Sequence, residues 1–277
     1  MLAKDSLQVR RSAIAYVFQD TVQLDRSMAL KFNEQLNSDG EDFPEMRHNP
    51  AEVVLSRGTA PRTAEIHVGG FAAQTPQGGP AAVSGFRFLV ADSESAKPIK
   101  FFCDLADTAH DAFNMFWGGR GGRLVMVEVA ISATMELTDA PNGAAAHLLK
   151  ELAHMSDPAQ SALGRPVNHF ALRLGSGLIL APESAPVKPP LGNAQVDLAF
   201  ESFPADPRLV IVNMVVKWPA IDMRLRDTSV PVEMHSQLSS TGTLEMNQKA
   251  EKPSAYIDQS FDYISKNVVS FLRSSLN

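Results

Sequence analysis

Apolar and polar positions alternate most cleanly from Leu124 to Leu137. Val125, Val127, Val129, Ile131, Ala133, Met135 and Leu137 fall on one side of an extended chain, and Met126, Glu128, Ala130, Ser132, Thr134 and Glu136 on the other. Side chains of a strand point alternately to opposite faces, so this stretch is a strand with one apolar and one mixed face. Such alternation belongs to an antiparallel sheet covered on one side, because the strands of a fully buried parallel sheet are apolar throughout. Shorter extended patterns cover residues 12–18, 52–56, 63–68, 82–90 and 100–103. Residues 195–203 and 209–218 form a hairpin around "PADPR", and residues 167–174 and 178–181 form another around Gly175-Ser176-Gly177. Residues 230–238 and 243–247 extend that second sheet.

Helical spacing is found in four places. Asp25 caps a helix carrying Met28, Ala29, Phe32 and Leu36, with Gly40 just past its end. Asp107 or Thr108 starts a second through "TAHDAFNMFW", stopped by Gly118-Gly119. Asn142 or Gly143 opens a third that runs to about Met155. The last has Ser254 as N-cap and an apolar stripe of Ile257, Phe261, Ile264, Val268 and Phe271. That stripe suits docking on the chain's own sheet. The competing reading is a homo-oligomer seam through Ile257, Phe261, Ile264 and Val268.

Strands and helices arranged in this way predict an α+β fold, with antiparallel sheets and helices packed on one face. The element order is similar in the two halves and suggests two related lobes, residues 1–138 and 139–277, separate or fused in one continuous domain. No sequence repeat supports the duplication.

Composition narrows the function only a little. A formal net charge of −6 argues against a broad nucleic-acid-coating surface. Cys103 is the only cysteine, so no intramolecular disulfide forms, which suits a reducing compartment. With no long apolar run, the expectation is a soluble, cytoplasmic protein without a membrane segment.

The most conspicuous motif is Gly118-Gly119-Arg120-Gly121-Gly122-Arg123. A phosphate-binding loop needs a strand before it, a helix after it and a Lys-Ser/Thr closing the turn; here the order is reversed and the lysine is missing. What remains is a flexible turn that offers two planar guanidinium forks to phosphate or carboxylate. "HLLKELAH" puts His147, Glu151 and His154 on one helix face, but the histidines stand about 10 Å apart, too far for one zinc. Glu151 with His154 matches a Glu-x-x-His spacing that Glu45 and His48 repeat, yet no four-helix bundle accompanies it. Cys103, ahead of a helix holding His110, has a nucleophile's setting, but Asp104 and Asp107 oppose a thiolate.

No catalytic set, metal site or cofactor motif survives these tests. The expectation is therefore a non-catalytic binding protein. It would recognise a protein partner or an anionic ligand through Trp117, Arg120, Arg123 and Trp218, the last beside Lys217. The alternatives are an enzyme whose site assembles from distant residues, Cys103 with His110 or His147 with Glu151, and RNA binding through the glycine–arginine loop.

Overall fold

In the computed structural model the described residues are 7–18, 24–58, 62–74, 80–92, 99–117, 124–137, 143–149, 171–176, 194–203, 205–206, 208–219 and 252–274. The strands are β1 (Gln8–Phe18), β2 (Glu45–His48), β3 (Glu52–Arg57), β4 (Arg62–Gln74), β5 (Pro80–Asp92), β6 (Leu124–Glu136), β7 (Ala171–Ser176), β8 (Gln195–Ser202) and β9 (Leu209–Pro219). They form one nine-stranded sheet of order β2-β3-β4-β5-β1-β6-β9-β8-β7, antiparallel at every described pairing. The expected α+β class with an antiparallel sheet is what the chain adopts. β1 and β6 lie side by side at the middle of the sheet; β2 to β5 lead from one edge back to β1, and β7 to β9 from the other edge back to β6.

Helices α1 (Arg26–Ser38), α2 (Ile99–Trp117), α3 (Gly143–His147), α4 (Pro253–Tyr263) and α5 (Val269–Ser274) all contribute to a single core on one sheet face. On β6, Val127, Val129, Ile131, Ala133, Met135 and Leu137 are buried, as the alternation predicts. Helix α1 also follows its sequence signals. The Asp25 carboxylate accepts from the Ser27 N–H at 2.9 Å. Gly40, at φ 85°, ends the helix in a left-handed turn, with the Glu41 N–H bonded to the Leu36 carbonyl at 2.9 Å.

Two expectations need correction. Residues 100–103 are not a strand: α2 starts at Ile99, and Phe102, Ala106, Ala109, Phe113 and Trp117 give it a buried face at helical spacing. Glu45 and His48, spaced like a helical metal pair, lie on β2, where residues three apart point to opposite faces. Residues 171–176 pair with β8, while residues 178–181 lie outside the described residues, as do 150–155, 230–238 and 243–247.

The second correction concerns the C-terminal helix. Its cap is not Ser254. Pro253 occupies the first turn, and the Asp107 carboxylate of α2 accepts from the Ser254 N–H at 2.8 Å and from its hydroxyl at 2.7 Å. Between α4 and α5, Ile264–Val268 is a π-helical segment. Its wider turn keeps Tyr256, Ser260, Ile264, Val268 and Leu272, each four residues apart, on the buried side. Ile257, Ile264 and Val268, offered above as a homo-oligomer seam, are at most 3% exposed within this chain, and Phe261 packs partly buried against the same core.

The middle of the sheet tolerates no extra atoms between β5 and β1. A Cβ on Gly85 would lie 1.9 Å from the Tyr16 carbonyl oxygen, whereas one on Gly70 would meet nothing closer than the Ala51 carbonyl oxygen at 3.7 Å. Gly85→Ala is expected to destabilise the fold by about 1–3 kcal/mol, and Gly70→Ala by no more than about 0.5 kcal/mol, in urea titrations of the two variants.

Candidate functional site

The residues singled out by sequence do not gather at one surface. Trp117 closes α2 at 1% exposure, with its ring 5.1 Å from Phe32 and stacked on Phe113 at 5.8 Å. Trp218 lies on the helix side of β9, 5.1 Å from Tyr256, and its Nε1 has no hydrogen-bond partner. Both are core side chains and not loop aromatics. Arg120, Arg123 and Glu151 lie outside the described residues, and of His147 only the backbone, at the end of α3, is described.

Cys103 and His110 share α2 but do not form a pair. Seven residues of helix separate them by about 10.5 Å along the axis. The Cys103 thiol donates to Asp258 Oδ1 at 3.3 Å, joining α2 to α4. Burial pushes this thiol far up, and the hydrogen bond to Asp258 together with the charges of Asp258, Asp107 and Asp104 reinforces the shift. His110 lies flat on Tyr16, ring centroids 4.5 Å apart. A thiol so held is a poor nucleophile. In native protein at pH 7–8 it should react with a maleimide far more slowly than in urea; equal rates would show the thiol to be open and ionisable.

A different constellation emerges on the other face of the sheet. The register brings His67 on β4, Arg87 on β5, Ala15 on β1, Glu128 on β6, Lys217 on β9 and Gln195 on β8 into one row across the strands. No single segment contains these residues, so no motif scan could join them. The only local signal was Glu128 on the polar side of an otherwise apolar strand. A β-bulge at Arg10 completes the group. It breaks the alternation between Val9, which stays in the core, and Arg11, which turns to the face of Ala13 and Ala15.

This face is less open than the alternation suggests. Ala15, Val17, Val54 and Met126 are buried without belonging to the helix-covered core, and Lys217 is only 3% exposed. Lys217 Nζ stands 4.0 Å from Glu128 Oε2, too far for a hydrogen bond, and Oε2 is shut off from solvent with no partner. Among the described residues half-buried Arg87 makes no hydrogen bond or ion pair, whereas His67 is engaged with Glu65 at 3.2 Å. Burial lowers the Arg87 pKa and the like charge of Arg11 lowers it further, while Glu128 and Glu65 oppose the shift.

Glu128 responds in the opposite sense. Burial raises its pKa and Asp197 adds to the rise, outweighing the attraction of Lys217 and Arg87. At 4.0 Å the attraction between Glu128 and Lys217 has a gross value of about 4 kcal/mol at an effective dielectric constant near 20, which removal from water offsets. The row is thus a group of charges held together without mutual satisfaction. Such groups concentrate where proteins bind or react.

No family model matches the chain, and no curated protein matches its sequence. The site therefore rests on its own geometry.

Because the folded state disfavours ionised Glu128, its contribution to stability is present below the ordinary glutamate range and is lost as pH rises through the raised value. Glu128→Gln removes that titration. The variant should gain melting temperature relative to the parent as pH rises from 4 to 8; a difference that is flat with pH would show that Glu128 ionises freely.

Proposed function

We propose that the protein is a non-catalytic binding protein that recognises an anionic group, carried by a protein partner or a small ligand, on the second face of its sheet. The observation that carries this reading is Arg87: a half-buried guanidinium without hydrogen bond or ion pair among the described residues, with the like charge of Arg11 acting on it. An anion relieves both the desolvation of Arg87 and its repulsion with Arg11, and a planar guanidinium receives carboxylate or phosphate in two-pronged fashion. Arg120 and Arg123 are proposed to extend the same recognition from the connection between α2 and β6. Trp117 and Trp218 serve it from the core, by packing α2 and β9 firmly.

The strand order supports the further reading that the chain consists of two related halves, meeting at β1 and β6, in a cytoplasmic setting that suits its lone thiol. In this view the ligand-bearing row runs across the junction of the halves. Neither an enzyme built on Cys103 and His110 nor one built on His147 and Glu151 has a comparable observation in its favour.

Thermal melts in increasing citrate and inorganic phosphate test the proposal. A ligand that binds only the folded state stabilises it by about 2.7 kcal/mol at a hundredfold excess over Kd. The shift should be largely abolished in Arg87→Gln and reduced in Arg120→Ala/Arg123→Ala, with the anion-free melting temperature of the double variant unchanged. Absence of a shift with either anion, or an equal shift in all three proteins, would overturn it. A salt-sensitive affinity for single-stranded RNA that exceeds the affinity for both anions would point to the glycine–arginine loop instead.

A further inference from the structure

The Arg87 end of the row explains a taste for anions but leaves Glu128 and Lys217 unexplained. Two oppositely charged heads that exist only to attract one another would close to hydrogen-bond distance, near 2.8 Å for an ammonium and a carboxylate. These do not: Nζ and Oε2 stay 4.0 Å apart. The lysine side chain is 4% exposed and makes no hydrogen bond to a described residue, and Glu128 Oε2 is likewise without a partner. Lys217 can only donate, and an ionised Glu128 can only accept. A group that satisfies both must accept from one and donate to the other.

A single hydroxyl oxygen does this. Placed about 2.8 Å from each head, it closes a triangle on the 4.0 Å base with an angle of about 90° at the oxygen, within the range for a hydroxyl that donates once and accepts once. Beside an ionised Glu128 a second carboxylate cannot fill the role, because it has no proton to give. An ammonium cannot, because it has no lone pair for Lys217. Between this point and Arg87 lies Ala15, whose methyl group leaves the intervening strand low. Arg87 and Glu128 are two strands apart, about 9.6 Å at the backbone, and long side chains on both shorten the reach between their heads.

We infer that the row of Arg87, Ala15, Glu128 and Lys217 is a binding site for a small hydroxy acid, its acid group on Arg87 and its hydroxyl between Glu128 and Lys217. This rests on the anion-binding reading above and narrows it from any anion to an acid that carries a hydroxyl. The hydroxyl is selected because a ligand without it leaves the buried Glu128 Oε2 unsatisfied and gives nothing to the Lys217 ammonium beside it, a larger penalty than the loss of one hydrogen bond in water.

Matched acid pairs that differ by one hydroxyl test the inference by calorimetry: glycolate and acetate, malate and succinate, citrate and tricarballylate, with inorganic phosphate alongside. At least one hydroxylated member should bind tenfold or more tightly than its partner. Lys217→Met/Glu128→Leu, which replaces the charged pair by apolar side chains and should fold at least as stably as the parent, is expected to bind both members of that pair equally. Arg87→Gln should lose both. Equal binding within every pair in the parent protein overturns the inference, since a water then satisfies the two heads, and leaves the anion reading standing. No binding of any acid or of phosphate overturns both. A hydroxyl preference that persists in Lys217→Met/Glu128→Leu overturns the assignment to these two residues.

Discussion

Antiparallel pairing of β1 with β6 forms the middle of the sheet, and the remaining strands are added outward from that pair. The register of this pairing is fixed by burial. Val127, Val129, Ile131, Met135 and Leu137 point into the helix-covered core, and each such side chain contributes about 1.5–3 kcal/mol when fully buried. A slip by one residue would turn all of them to the face of Glu128 and bring Glu128 into the core. The same constraint therefore builds the hydrophobic core and aligns Arg87, Ala15, Glu128 and Lys217 on the opposite face. The candidate site is a consequence of how the core is registered.

The helices reinforce the register from above. Tyr16 of β1 is sandwiched beneath α2 and α4 by its contacts with His110 and Tyr256, and Phe86 of β5 meets His110 and Phe113. Helix α4 is in turn fastened to α2 by a polar seam: Cys103 to Asp258, Asp107 to Ser254 and Asp111 to Lys252. These contacts run in antiparallel order along the two helices. Apolar packing alone would let α4 slide; three directional contacts at successive turns resist it. The buried, protonated thiol of Cys103 is part of that fastening, which gives the residue a structural reason to be where it is.

Much of this was legible in the chain. The alternation of β6 and the Asp25 and Gly40 boundaries of α1 follow from periodicity and capping, because short-range sterics and hydrogen bonds decide them. Three kinds of feature were not legible. Residues 100–103 read as a strand because Phe101-Phe102-Cys103 is a short apolar run, and only the pattern reaching to Trp117 shows the helix. The cap of α4 comes from Asp107, far away in sequence. The π segment brings Leu272 onto the buried stripe, which the period read from the sequence did not include. The tryptophans illustrate a further limit: aromatic residues beside glycine and arginine resemble a recognition loop, but Trp117 is the last residue of a helix and packs on Phe32 and Phe113.

The charged row stands apart because no local rule produces it and stability does not call for it. Apolar or small residues occupy the equivalent inward positions, and Val54, Val17 and Met126 show that the second face accepts apolar side chains as well. A Glu–Lys pair whose heads remain 4.0 Å apart gives less than a close ion pair would, while both groups bear the desolvation of their surroundings. Arg87 adds a third ionised group near a like charge, Arg11, which a bulge has turned toward it. An arrangement that holds charges apart in the middle strands of the sheet is poorly explained as scaffolding. It fits the binding site proposed above, in which the sheet would hold donors and an acceptor apart at spacings set by the strands and a ligand would supply the missing partner.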